Sequence, residues 1–223
     1  MKIKAAIFDM GGVLVNYRPP PACYDFIENP ESKMELIEPY WEDFEKGIIS
    51  GKEYYKIFQK QFGYLKSYDD FKRDFNEGFQ FELNTEVFDF VLSLKTKKNG
   101  PILYMLSNIN EFHFEHINKK CPGVFSNFLR NFYSFQLNMA KPDPKIFLYA
   151  KEHINFSVYN TLFIDDKEEN CDASKKIGFA AIQFKNLEQL KSDWTKLEDS
   201  PEPEINPEPK KDLPEDNPDE DIY

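Results

Sequence analysis

Short apolar runs that each stop at a polar residue, separated by segments of helical periodicity, constrain this chain more than any other feature. Residues 3–8 form such a run, ending at Asp9 and followed by Gly11 and Gly12. Residues 102–106 end at Ser107 and Asn108, residues 161–164 end at Asp165 and Asp166, residues 179–184 close the series, and residues 131–135 are a weaker member. Between them, Val87, Phe88, Val91 and Leu94 recur at helical spacing before Asn99 and Gly100 stop the helix. Residues 145–153, 168–177 (with Gly178 just past the end) and 187–197 follow the same plan. Strands alternating with helices of this length predict an α/β fold with a doubly wound parallel sheet.

Residues 17–85 break the alternation and read as three or four helices. Ser50 opens a capping box with Glu53, Tyr54, Ile57, Phe58 and Phe62 line one helical face, and Phe71, Phe75 and Phe79 line the next. The expected organisation is therefore a core of residues 1–16 and 86–197, a small helical domain of residues 17–85 inserted after the first strand, and a tail of residues 198–223. The tail holds 11 acidic residues against Lys210 and Lys211, with six of the chain's 15 prolines and no glycine. Such a composition buries too little apolar surface to offset chain entropy, so disorder is expected there.

That tail accounts for most of the formal charge of −11 and leaves the other 197 residues with about −2 and no basic stripe. The electrostatic term that drives nucleic-acid binding is missing, and no polynucleotide partner is expected. Cys23, Cys121 and Cys171 are an odd set in a chain long enough to fold without staples, which argues against a disulfide framework. The start of the chain lacks a secretory apolar segment and no run approaches membrane-span length, so a cytoplasmic protein with no membrane partner is expected.

In an open parallel sheet, ligands bind beyond the carboxyl ends of the strands. Here those ends carry Asp9, Ser107 with Asn108, the segment Lys141-Pro142-Asp143-Pro144, and Asp165 with Asp166. An aspartate followed by glycines can attack phosphorus while the exposed amides of Gly11 and Gly12 bind phosphoryl oxygens. Ser107 and Asn108 can donate to the same oxygens, Lys141 can neutralise charge, and the carboxylates can hold Mg²⁺ through oxygen.

Those four motifs, Ile7-Phe8-Asp9-Met10-Gly11-Gly12-Val13-Leu14, Leu106-Ser107-Asn108, Lys141-Pro142-Asp143-Pro144 and Phe163-Ile164-Asp165-Asp166 with Asn170, resemble those of the haloacid dehalogenase superfamily. The resemblance covers residues 1 to about 190 and extends to the subfamily with a C1 helical cap, including glucose-1-phosphate phosphatase-like members. It implies a Rossmann-like core, an aspartyl-phosphate formed on Asp9, Ser107 as phosphate ligand and Lys141 as charge neutraliser. It also implies a magnesium site of Asp9, the Gly11 carbonyl and Asp166, with Asp165 in support. The expected activity is hydrolysis of a small phosphate ester, such as a sugar phosphate. Family phosphatases usually carry a second aspartate, the general acid and base, where this chain has Gly11. A positioned acid is worth roughly 10²- to 10⁴-fold, so a catalytically silent binding protein and a metal-independent 2-haloacid dehalogenase are the alternatives.

His113 and His116, with Cys121 nearby, invite a zinc reading that lacks a second compact ligand pair. The resemblance leaves two readings for His113: a residue that lines the cleft as substrate contact or proton donor, or a histidine on the helix surface. Oligomeric state is not legible in the sequence.

Overall fold

The computed structural model describes residues 2–17, 30–79, 81–121 and 123–201. Cys23 and the acidic tail beyond residue 201 lie outside the described residues.

Five parallel strands form the central sheet: β1 (Ala5–Phe8), β4 (Ile102–Ser107), β5 (Arg130–Tyr133), β6 (Thr161–Asp165) and β7 (Ala180–Gln183), in the order β5-β4-β1-β6-β7. Every residue of β1 and β6 is buried, as expected for strands covered on both faces. On one face pack α4 (Thr85–Thr96) and α10 (Leu187–Asp199), through Val87, Val91, Leu94, Leu190 and Trp194. On the other lie α8 (Pro144–Glu152) and α9 (Glu168–Ile177), through Ile146, Phe147, Ala150 and Ala173. Chain order reverses beside β1, between β4 and β6, which is where such sheets open a crevice for ligands.

The weak strand ends sooner than expected. At Ser134 the chain turns into the short helix α7 (Ser134–Leu137), because the buried Ser134 hydroxyl is engaged by the backbone of Ile109 and Glu45. A two-stranded antiparallel pair, β2 (Val15–Asn16) with β3 (Glu82–Leu83), also goes beyond the sequence reading; strands this short carry no periodic signal.

Among the described residues, three helices lie between that pair: α1 (Pro30–Glu45), α2 (Gly51–Phe62) and α3 (Tyr68–Gly78). The Ser50–Glu53 capping box forms as expected, and Gly63 ends α2 in the left-handed conformation. Their shared core is aromatic, with Phe44, Tyr54, Phe58, Phe71 and Phe75 almost fully buried. Phe112 of α5 (Glu111–Lys120) enters the same cluster, its ring 4.9 Å from that of Phe44, so the helices are stapled to the sheet unit by packing. Lys72 pairs with Glu115 across the same junction. No helix among the described residues is long and apolar enough to cross a membrane.

Candidate active site

Asp9 follows the last residue of the central strand, and its N–H still donates to the Ile164 carbonyl at 2.8 Å, so the β1–β6 ladder fixes its backbone. Its Oδ1 accepts from the Met10 N–H at 2.7 Å and sits 2.8 Å from the Lys141 Nζ. Lys141 also donates to Asp165 Oδ2 at 2.7 Å and to the Leu106 carbonyl at 2.9 Å, which gives each of its three protons an acceptor. Asn108 clamps the lysine backbone from both sides: Oδ1 accepts from the Lys141 N–H at 2.8 Å, and Nδ2 donates to its carbonyl at 2.8 Å. One amide proton of Asn108 is left for a ligand. Ser107 Oγ is buried and has no protein partner, the state of a hydroxyl that serves something other than the fold.

The adjacent aspartates differ in what is left to them. Asp165 is fully buried; Oδ1 accepts from the Lys167 N–H and from Asn170 Nδ2, both at 2.9 Å, and Oδ2 holds Lys141. Asp166 is only partly buried and faces Gly12. A Cβ at Gly12 would lie 2.4 Å from Asp166 Oδ2, and the residue has φ 73°, so both conformation and space demand glycine there.

Ligand oxygens of Asp9, Asp165 and Asp166 lie within 4.8 Å of one another. Burial pushes the Asp9 carboxyl up to about 7; Lys141 opposes this, and Asp165 and Asp166 add to it. Asp166 is raised by burial and by Asp165. Lys141 is held above the ordinary lysine value: burial opposes its charge, but Asp9 and Asp165 outweigh that. Three carboxylates against Lys141 and the Lys167 that also lines the cleft form an oxygen-only donor set with surplus negative charge, which suits a hard divalent cation. His113, His116 and Cys121 form no such cluster among the described residues, so the zinc reading falls.

These groups border a cavity of about 210 Å³. Asp9, Gly11, Asn108, Lys141 and Asp166 line one side; Ser107, Gly12 and Asp165 are not among its lining residues. The opposite side is Trp41 from α1, Phe79 from the end of α3, Phe81, and His113 from α5. His113 is packed against the Phe79 ring at 4.2 Å and the Phe75 ring at 4.9 Å. Burial drives its pKa down to about 3, so it is a neutral ring at ordinary pH and not the proton donor that the sequence suggested. Its Nδ1 meets Asn110 Nδ2 at 3.2 Å, while Nε2 is buried without a partner.

Several cleft residues escaped sequence reasoning: Tyr17, Trp41, Glu45, Phe79, Phe81 and Lys167. Lys167 directly follows the aspartate pair and was within reach of it. The others sit at segment ends, where periodicity does not tell a core ring from a cleft ring.

A model of the haloacid dehalogenase-like hydrolases matches residues 3–178, a span that includes all four strand-end motifs. The chain belongs to that family. This hydrolase is 27% identical over 201 residues to the D-ribitol-5-phosphate phosphatase of Bacteroides thetaiotaomicron, covering 82% of this chain and 93% of that one. It is 26% identical over 201 residues to a drimenol cyclase of Aspergillus calidoustus, with 89% of this chain matched, and spans only 37% of that relative's length. Among solved structures, an enzyme of the same family from Bacteroides thetaiotaomicron, in complex with magnesium and inorganic phosphate, superposes with a TM-score of 0.68 at 26% identity, covering 82% of this chain and 94% of that one.

Proposed function

We propose that the hydrolase is a magnesium-dependent phosphatase that cleaves a small phosphorylated metabolite through an aspartyl-phosphate on Asp9. The observation that carries this reading is the Asp9 carboxylate itself. One oxygen is pinned by Met10 and Lys141, and no protein donor among the described residues holds the other. Nucleophilic attack needs an oxygen so oriented and so free. The relative that acts on D-ribitol 5-phosphate, and the related structure that holds magnesium with phosphate, support the same chemistry.

Asp9, Asp166 and the Gly11 carbonyl would hold the cation, which would neutralise charge on the phosphoryl oxygens. Asp165, saturated by Lys141, Lys167 and Asn170, acts as the orienter behind them. Lys141 fixes the nucleophile and offsets its charge. Ser107, Asn108 and the Gly11 N–H receive phosphoryl oxygens; the Gly12 N–H, expected from the sequence to join them, is spent on the Val15 carbonyl at 2.9 Å. Residues 17–85 act as a cap whose aromatic side excludes water and contacts the leaving group, with His113 as part of that wall; residues 1–16 and 86–197 supply the nucleophile and the groups that hold the cation and the phosphoryl oxygens.

A screen of phosphorylated metabolites, sugar phosphates included, with Mg²⁺ and alongside Asp9→Asn tests the reading. Release of phosphate that disappears with chelator and in the variant supports it. Turnover that persists in Asp9→Asn contradicts it. Gly11 motivates a second reading, a silent ligand-binding protein, which the same screen would favour if no ester turned over while ligands still bound.

A further inference from the structure

The phosphatase reading leaves one chemical gap: Gly11 cannot supply the proton that a departing alcohol needs. A Cβ at Gly11 would lie 3.2 Å from the Tyr17 ring, a tight approach to the side chain that borders this position. The acid must come from elsewhere on the cleft.

The geometry points to Glu45, the last residue of α1, as the general acid and base that takes the place of the missing carboxylate, delivered to the cleft from the helical side. Glu45 lines the same cavity as Asp9, Gly11 and Lys141. Among the described residues no donor holds its carboxylate, whereas the backbone around it is held in several places. The Ser134 hydroxyl donates to the Glu45 carbonyl at 2.6 Å and accepts from the Ile109 N–H at 2.8 Å. Ile109 lies just beyond Ser107 and Asn108, so one buried hydroxyl registers the end of α1 against the second strand-end motif. Asn138 Nδ2 donates to the Lys46 carbonyl at 3.0 Å. Gly47, at φ 68°, lets the chain pass so close to Phe135 that a Cβ would meet its carbonyl oxygen at 2.0 Å. A free carboxyl on a triply anchored backbone is what a proton-transfer group requires.

Other candidates in the cleft fare worse. His113 is a neutral ring held among phenylalanines, Lys141 is fully engaged, and burial moves the Tyr17 phenol above its ordinary value. For Glu45, burial favours the protonated acid, and the negative end of the α1 dipole works in the same direction. Glu42 adds to this, while Lys167, Lys141 and Lys46 oppose it, and the carboxyl stays above its ordinary value.

The chemistry balances. As an Asp9 oxygen bonds to phosphorus, the bond from phosphorus to the alcohol oxygen breaks, and that oxygen keeps the electron pair and takes the Glu45 proton. Water then adds to phosphorus and gives a proton to the Glu45 carboxylate while the Asp9–phosphorus bond breaks. Inorganic phosphate, the Asp9 carboxylate and protonated Glu45 are regenerated.

The inference rests on the phosphatase reading, and the full chain with Mg²⁺ tests both. For Glu45→Gln, kcat/KM would be measured over aryl and alkyl phosphates of graded leaving-group acidity. Esters of acidic phenols should keep kcat/KM within a few-fold, and alkyl esters should lose roughly 10²- to 10⁴-fold. With the activated esters, phosphorylated Asp9 should accumulate, because its hydrolysis has lost its base. An equal loss for every ester, or unchanged alkyl ester hydrolysis in a variant that folds as the wild type does, overturns the role of Glu45 and leaves the phosphatase reading intact. Turnover unaffected by Asp9→Asn overturns both. Ser134→Ala, which removes only the latch, should shift the same leaving-group dependence in the same direction by a smaller amount; no shift in it argues against the delivery route.

Discussion

On one wall of the cleft, Asp9, Asn108 and Lys141 are tied to one another, to the buried Asp165 and to neighbouring backbone by hydrogen bonds and ion pairs of 2.7–2.9 Å. On the other, Trp41, Phe79 and His113 are positioned by ring contacts with centroids 4.2–5.9 Å apart, with Asn110 as a further anchor for His113. Hydrogen bonds are directional and fix atoms; ring packing is tolerant and fixes a surface. The first wall is therefore suited to invariant chemistry, and the second to recognition of a leaving group. Damage to the first should remove the reaction, and damage to the rings of the second, Glu45 on the same helical side excepted, should cost stability and selectivity.

The sharpest way to break that contrast is at Asp9. Asp9→Asn keeps the shape of the polar wall and removes its nucleophile, and turnover should fall by about 10⁴-fold or more, read as phosphate release with the same preparation's melting curve as control. Next is Lys141→Ala. The side chain is 1% exposed, and its loss leaves Asp9 and Asp165 without their counter-charge, costing about 3–5 kcal/mol of stability. Activity should vanish as well, and denaturant unfolding beside an assay would show both.

In the core that supports the aromatic wall, Phe71→Ala removes a fully buried ring from the helical cluster and should cost about 3–5 kcal/mol by cavity formation. Phosphoryl capture on Asp9 should survive under conditions where the variant is folded. If capture is lost while the fold persists, the two walls are not separable in the way described.

A smaller effect is tied to pH. His113 has its pKa moved by burial from 6.5 to about 3, so the unfolded chain binds a proton that the folded chain refuses. The stability this group contributes is present in full above about pH 6.5 and is lost as pH falls towards 3. His113→Phe should flatten that part of the stability profile in urea unfolding across the range; an unchanged slope would mean that the ring is not held neutral.

How much was legible in the sequence follows the same division. Asp9, Ser107 and the aspartate pair could be read because each ends or directly follows a strand; Lys141 lies beyond β5 and α7, and it was the order of the four motifs and their family resemblance that placed it with them. The capping box at Ser50 and the glycine at 178 were equally local. Asn108 was only half legible: its motif was evident, but its clamp on the Lys141 backbone links positions 33 residues apart. The latch from Ser134 to Glu45 spans 89 residues and uses a main-chain carbonyl, so no side-chain pattern announces it. The cap helices were visible by periodicity, yet Phe75 in the core and Phe79 at the cleft share one stripe. Only the packing angle of α3 separates them.

The most direct test of the account is to quench the full chain in acid during turnover of a phosphate ester with Mg²⁺, then map the phosphoryl adduct by peptide mass analysis. The account predicts an adduct on the segment that carries Asp9, absent in Asp9→Asn. Phosphate release with no adduct at any time point, or with the adduct on another residue, would contradict it.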